Sequence, residues 1–367
     1  MAADLALHRS AATGGRRTGR PERLARVWLV ATIALTAGAV AAAITLAPSG
    51  SAPPPQGLAF LLFVGSSVHV ASTGWFYTVP QVRVHMRSSK ARYLWWPLAL
   101  LAGAGAIAAL TPRPVLYWLL LPYFGWQFFH YQKQNLGLAA LAASACRAAP
   151  LSRPERGALQ AAGLAAIGAL VARPGQLQLP IAHVLRQLWP AAALVFAASV
   201  ATGAACLARR GRRDRPAGFS VAYLTSLAFG LPVFIFRSPY ASVAGLTIAH
   251  GLQYLLLMGL VAGGGSRGMS RVIRLAALFN IALLGGSVLS VASDQIAARP
   301  AGRILFGLFL GAVMAHFVID AGIWRMRDRF PRTFLAARVP YLVPGPTRAG
   351  TVGRQGSPTD PSASDIR

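Results

Sequence analysis

Four histidines, His69, His130, His250 and His316, each fall near the middle of a different long apolar run. An imidazole in hydrocarbon is costly unless it is paired, ligated or turned to water, so such a residue marks a functional site by default. Four of them at similar depth point to a shared one. Neutral imidazole is a good ligand for iron, copper and zinc. One reading is therefore a metal centre, either four histidines around one non-haem iron or two bis-histidine pairs holding haem b. A proton or substrate pathway is a second reading. Packing by interhelical hydrogen bonds is a third.

Each histidine has polar neighbours on its own helical face, because residues three and four apart adjoin. His316 has Asp320, His250 has Gln253, His69 has Ser66 and Thr73, and His130 lies between Gln127 and Gln134. Of the nine acidic residues, Asp320 is the only one inside an apolar run. It could orient His316 through the ring nitrogen not used for ligation, or bind metal itself. Gln127, Gln134 and Gln253 would then position water or oxygen. Lys133, one of two lysines in the chain, needs an anion inside a membrane. Asp320 is the expected partner, and a Schiff-base role is the alternative. His85 and His183, in or beside loops, read as interfacial residues, and His8 lies in the basic arm.

Elements that set four imidazoles at one depth must be bilayer-crossing helices. The 367 residues are 55% hydrophobic and only 12% charged, and apolar runs of spanning length recur along the chain. The expectation is an all-α polytopic bundle of ten spans, near 25–46, 57–79, 94–111, 115–145, 157–172, 187–208, 219–236, 240–262, 272–293 and 304–325. A basic arm, 1–24, precedes it, and a disordered tail, 331–367, follows. The segment from Pro174 to Arg186 is expected to lie along the interface or re-enter.

The formal charge of +27 is carried by short arginine clusters between the runs, without the aromatic-studded basic domain of a nucleic-acid binder. Alternate loops are rich in arginine. The rich ones hold Arg83, Arg87, Lys90 and Arg92, then Arg147, Arg153 and Arg156, then Arg209 to Arg215, then Arg267, Arg271 and Arg274, then Arg325, Arg327 and Arg329. The positive-inside rule then puts both termini in the cytoplasm, with the chain in the plasma (inner) membrane and lipids as its surroundings. Cys146 and Cys206 fall on that reducing side. Trp75, Phe76, Tyr77, Trp95 and Trp96 are expected in an interfacial belt. His69 and His130 stand 61 residues apart, and His250 and His316 stand 66 apart. That similarity suggests a parallel repeat of spans one to four and seven to ten.

Membrane desaturases and hydroxylases carry clustered histidines at short spacing, a pattern missing here. Phe124-Gly125-Trp126 upstream of His130, and His316-Phe317 followed by Asp320, resemble the bacterial Brp/Blh-type integral-membrane carotenoid oxygenases over less than a tenth of the chain. That resemblance implies an iron-dependent, dioxygen-using enzyme acting on an apolar polyene or isoprenoid lipid. The ending His316, Asp320, Trp324, Arg325 is also similar to that of a family of bacterial membrane proteins of unassigned function. The resulting expectation is a membrane oxidoreductase with His69, His130, His250 and His316 as ligands to iron or haem. Asp320, Lys133, Gln134 and Gln253 would stand around the reaction, and the substrate would be a lipophilic small molecule.

Overall fold

Residues 19–49, 52–181, 185–265, 270–297 and 299–343 are described by a computed structural model, and all regular structure among them is helical. The helices are α1 (Gly19–Thr45), α2 (Gln56–Thr78), α3 (Pro80–Arg87), α4 (Ala91–Leu110), α5 (Arg113–Ala145), α6 (Arg153–Ala172) and α7 (Leu188–Arg209). They continue as α8 (Ala217–Leu227), α9 (Leu231–Ile235), α10 (Tyr240–Gly263), α11 (Arg271–Ala297), α12 (Pro300–Ile323) and α13 (Arg329–Arg338).

Seven of these, α1, α2, α4, α7, α10, α11 and α12, are long and apolar enough to cross a bilayer, as expected of a multi-pass membrane protein. The other three expected spans are helical but do not meet that measure. α5 is long enough, but its middle holds the polar stretch Gln127–Asn135. α6 begins with Arg153, Glu155 and Arg156. The span expected over 219–236 is broken after Leu227, where Gly230 packs so closely on Ala166 that an added Cβ would lie 2.6 Å from it. Pro232 then starts α9, where its missing N–H is no loss.

Several expectations need correction. The tail does not begin at 331: α13 buries Pro331, Phe334 and Leu335, and Val339, Leu342 and Val343 continue the same core. Phe330 and Phe334 stack there, so the apolar residues of this segment have a partner surface that composition cannot reveal. Residues 344–367 lie outside the described residues, as do His8, His183 and most of the arm. Trp75 and Phe76 are not in a belt but are 1% and 0% exposed, whereas Trp95 and Trp96 are 61% and 60% exposed. The segment after Pro174 tucks inward. Gln176 is buried and donates to the carbonyls of Val233 (3.0 Å) and Phe236 (2.7 Å), satisfying the end of α9.

The arginine-rich segments meet at one end of the bundle. Arg147 pairs with Glu22, Ser144 donates to the carbonyl of Leu342, Arg338 donates to that of Val261 and Arg274 to that of Ala262. His85 is stacked on Phe330 at 4.1 Å, which brings α3 to the same end. Partial burial holds the His85 imidazole below its usual value, against the opposing pull of Asp328.

The strongest tie at this end is Arg210. Its Nε and Nη2 donate to Glu155 Oε1 and Oε2, each at 2.6 Å, and it also reaches the carbonyls of Ala149 and Pro150. Glu155 is 1% exposed and closes a capping box with Ser152 at the start of α6. Burial alone would raise the Glu155 carboxyl, but the Arg210 and Ser152 hydrogen bonds outweigh it and leave it below its ordinary value. A carboxyl depressed on folding stabilises above its unfolded pKa, and that stability is lost as pH falls through the folded value. Arg210→Ala is therefore expected to cost about 3–5 kcal/mol, because it strands a buried carboxylate. Thermal unfolding in detergent should show this loss at neutral pH, shrinking as the pH drops below the carboxylate range.

A candidate metal centre

Two helix irregularities and one close crossing bring the first pair of histidines together. His69 follows a π-helical turn, Val64–Val68, and α10 opens with another, Tyr240–Ala244. Such turns shift a side chain around its helix and often mark functional sites. α2 and α10 cross where both lack a side chain. A Cβ on Gly65 would lie 2.5 Å from the Ile248 Cα, and one on Gly251 would overlap the Gly65 carbonyl. His316 is carried on α12, which packs on α4 through Gly307 and Gly311, where a Cβ would strike the α4 backbone. His130 comes from the middle of α5, and its ring stacks on Phe317 at 4.5 Å.

The four imidazoles close a ring. Centroid separations are 5.0 Å for His69–His250, 5.0 Å for His250–His130, 5.0 Å for His130–His316 and 5.1 Å for His316–His69. Neighbouring rings meet edge to face at 70–90°. One ligand atom from each of His69, His250 and His316 lies within 4.8 Å of the others, and the same holds for His130, His316 and Asp320. Three of the rings are almost wholly buried, His69 at 3%, His250 at 1% and His316 at 2% exposure.

Hydrogen-bond counting shows what the ring lacks. Both ring nitrogens of His250, and Nε2 of His130 and His316, are buried without a hydrogen-bond partner, and neither His69 nitrogen makes a well-formed hydrogen bond, although the Gly65 and Ser66 carbonyls of the preceding turn lie close. A buried polar atom left so costs about 1–3 kcal/mol. His316 Nδ1 does have a partner, and the groups around it order the protons. Tyr254 donates its hydroxyl hydrogen to Asp320 Oδ1 at 2.9 Å, so it can only accept from Thr73 at 3.0 Å. Thr73 has then spent its own hydrogen and must accept from His316 Nδ1 at 2.7 Å. By this donor counting His316 carries its proton on Nδ1 and a lone pair on Nε2. That lone pair faces Asp320 Oδ2 at 3.6 Å, and His130 Nε2 lies 3.9 Å from the same oxygen. A metal cation, or a proton on Asp320 Oδ2, placed between the two would satisfy both atoms.

The other residues expected at the site are placed as follows. Gln134 Nε2 donates to the His250 carbonyl and to Gln253 Oε1, both at 3.0 Å, and Gln253 donates to Thr36 at 2.7 Å. These two amides brace the backbone behind His250 rather than point into the ring. Gln127 bonds to Tyr131, whose ring stacks on His250 at 4.0 Å. The expected Lys133–Asp320 pair is not formed. Lys133 is exposed, with Nζ 5.0 Å from the Phe129 ring centroid. Two residues from buried Asn135 is 200° of helix, so Lys133 is carried to the opposite, outward face.

Sequence reasoning passed over Tyr254 and Tyr131. Tyr254 stands four residues after His250, the same spacing that singled out Asp320 beside His316. A two-fold through the ring centre relating the two halves would set His69 opposite His250, whereas the two are neighbours, so the ring does not reproduce the suggested repeat. Comparison with protein families, with curated proteins and with solved structures finds no match to this chain.

Proposed function

We propose that His69, His130, His250 and His316 hold a single iron ion inside a membrane helix bundle, and that the chain is an oxidoreductase acting on an apolar lipid or isoprenoid. The observation that carries this is the closed ring of imidazoles with six buried nitrogens that make no well-formed hydrogen bond. Metal–nitrogen bonds of about 2.0–2.1 Å would put ring centroids roughly 4.5 Å apart in a square and roughly 5.2 Å apart in a tetrahedron. The observed 5.0–5.1 Å falls between. The same spacing disfavours haem b, because a porphyrin needs a flat slot between its axial imidazoles and these rings leave none.

Iron on imidazole ligands supplies one-electron and oxygen chemistry. This chain's residues hold and shield it. The Thr73–Tyr254–Asp320 chain keeps the His316 Nε2 lone pair turned inward, and Asp320 Oδ2 stands beside it. Gln134 and Gln253 fix the α10 backbone at His250, and Phe317 and Tyr131 cover ring faces and exclude water.

Ten crossings with both termini in the cytoplasm accord with the gathering of the arginine-rich segments at one end. The inner membrane is the proposed location. Full-length protein purified in detergent should contain about one iron per chain and show no haem Soret band. Folded protein free of metal after growth in iron-replete medium overturns the reading and leaves a polar transport path as the better account of the buried groups.

A further inference from the structure

Of the four imidazoles, that of His130 stands closest to the surface. The His130 side chain is 12% exposed, against 1% for that of His316. The outward stripe of α5 beside it runs Pro122, Trp126, Phe129, Lys133 and Gly137, all exposed and spaced at three or four residues. Trp126 lies 5.6 Å from Phe317, which itself covers His130.

Lys133 is the anomaly on that stripe. It lies three residues from His130 on α5, and the ring that His130 joins is carried near the middle of the spanning helices α2 and α10. It bends back over Phe129 instead of reaching toward water. Among the described residues no acid meets it. Glu22 is held by Arg147, Glu155 by Arg210, Asp320 by Tyr254, and Asp328 lies beside Arg325. Asp214 accepts from the Ala149 N–H, and Asp294 opens the last turn of α11, near the start of α12. An outward cation at such depth requires an anion from the lipid phase.

We propose that this edge binds a long-chain carboxylic acid, with its carboxylate on Lys133 and its apolar chain along Phe129, Trp126 and Pro122, next to His130. The proposal rests on the metal-centre reading and names the substrate class for it. A phospholipid head does not fit the same role, since a phosphate stays charged and remains at the interface. A carboxylic acid can enter hydrocarbon as the neutral form and give up its proton only beside the lysine. Lys133 and His130, three residues apart, are helix-surface neighbours, so the first carbons of the bound chain would lie beside the exposed imidazole edge.

The test is binding of a fluorescent long-chain fatty acid and of its methyl ester to full-length protein in detergent, with metal content measured on the same samples. The acid is expected to bind roughly 10-fold tighter than the ester, a preference that charge-assisted hydrogen bonding supplies. Lys133→Gln should bind the acid no better than the ester while retaining its metal. Equal binding of acid and ester by the unaltered protein, or unchanged acid affinity in Lys133→Gln, overturns the proposal. So does a dimer that Lys133→Gln dissociates, which would assign the charge to a second copy. Lysine-dependent acid binding by metal-free protein would remove the metal reading alone, and bound metal without acid preference would remove this proposal alone.

Discussion

His250→Ala is expected to lower iron affinity by more than about 100-fold, because even residues that only orient metal ligands are commonly worth about 10–100-fold. His250 is 1% exposed and packed by Tyr131, so removing its ring opens space inside the bundle without disturbing a surface. Chelator competition on detergent-purified protein reads the affinity, and circular dichroism checks that the helices persist. Tyr254→Phe should produce the intermediate loss, about 10–100-fold. It keeps the ring's shape but deletes the hydroxyl that joins Thr73 to Asp320, freeing His316 to move its proton to Nε2. If the histidines served packing alone, His250→Ala and Tyr254→Phe would leave metal content indistinguishable from that of the unaltered chain, which is the outcome that rejects the centre.

The second large effect is expected from a residue that touches no metal. Gly251→Val would drive a branched side chain into the Gly65 carbonyl and Cα, where backbone and not a flexible side chain receives the clash. Overpacking of this kind costs about 1–3 kcal/mol or more. It also pushes α2 from α10, and so His69 from His250, and metal stoichiometry should fall together with the unfolding temperature. Gly259→Val provides the control on the same helix, since nothing lies within 4 Å of a Cβ added there. Equal damage from the two substitutions would mean that general loss of helix stability, and not the crossing, explains the result.

Much of the site was legible because hydrocarbon makes polar residues expensive. His69, His130, His250, His316 and Asp320 stood out by type and by depth, and they converge. The roles of Lys133, Gln134 and Gln253 were not legible, for a geometric reason. Proximity to His130 along the chain says only that residues share a stretch of helix. Whether each points inward depends on where neighbouring helices sit. Asn135 and Tyr131 turned in toward α5's partners, and Lys133 was carried outward. Tyr254 was hidden because tyrosine is unremarked in an apolar run until its hydroxyl is seen against Asp320.

The amino-acid order by itself determined the helical class, seven of the apolar spans, the arginine-rich loops and which side chains could serve as ligands, since these follow from composition and local period. Only the tertiary structure decided that the 330s belong to the core, that the segment near Gly230 breaks, and that four rings from α2, α5, α10 and α12 share one space. Those outcomes depend on contacts between residues far apart in the chain, such as Gly65 with Gly251 and Thr73 with His316, and no local pattern encodes such a contact.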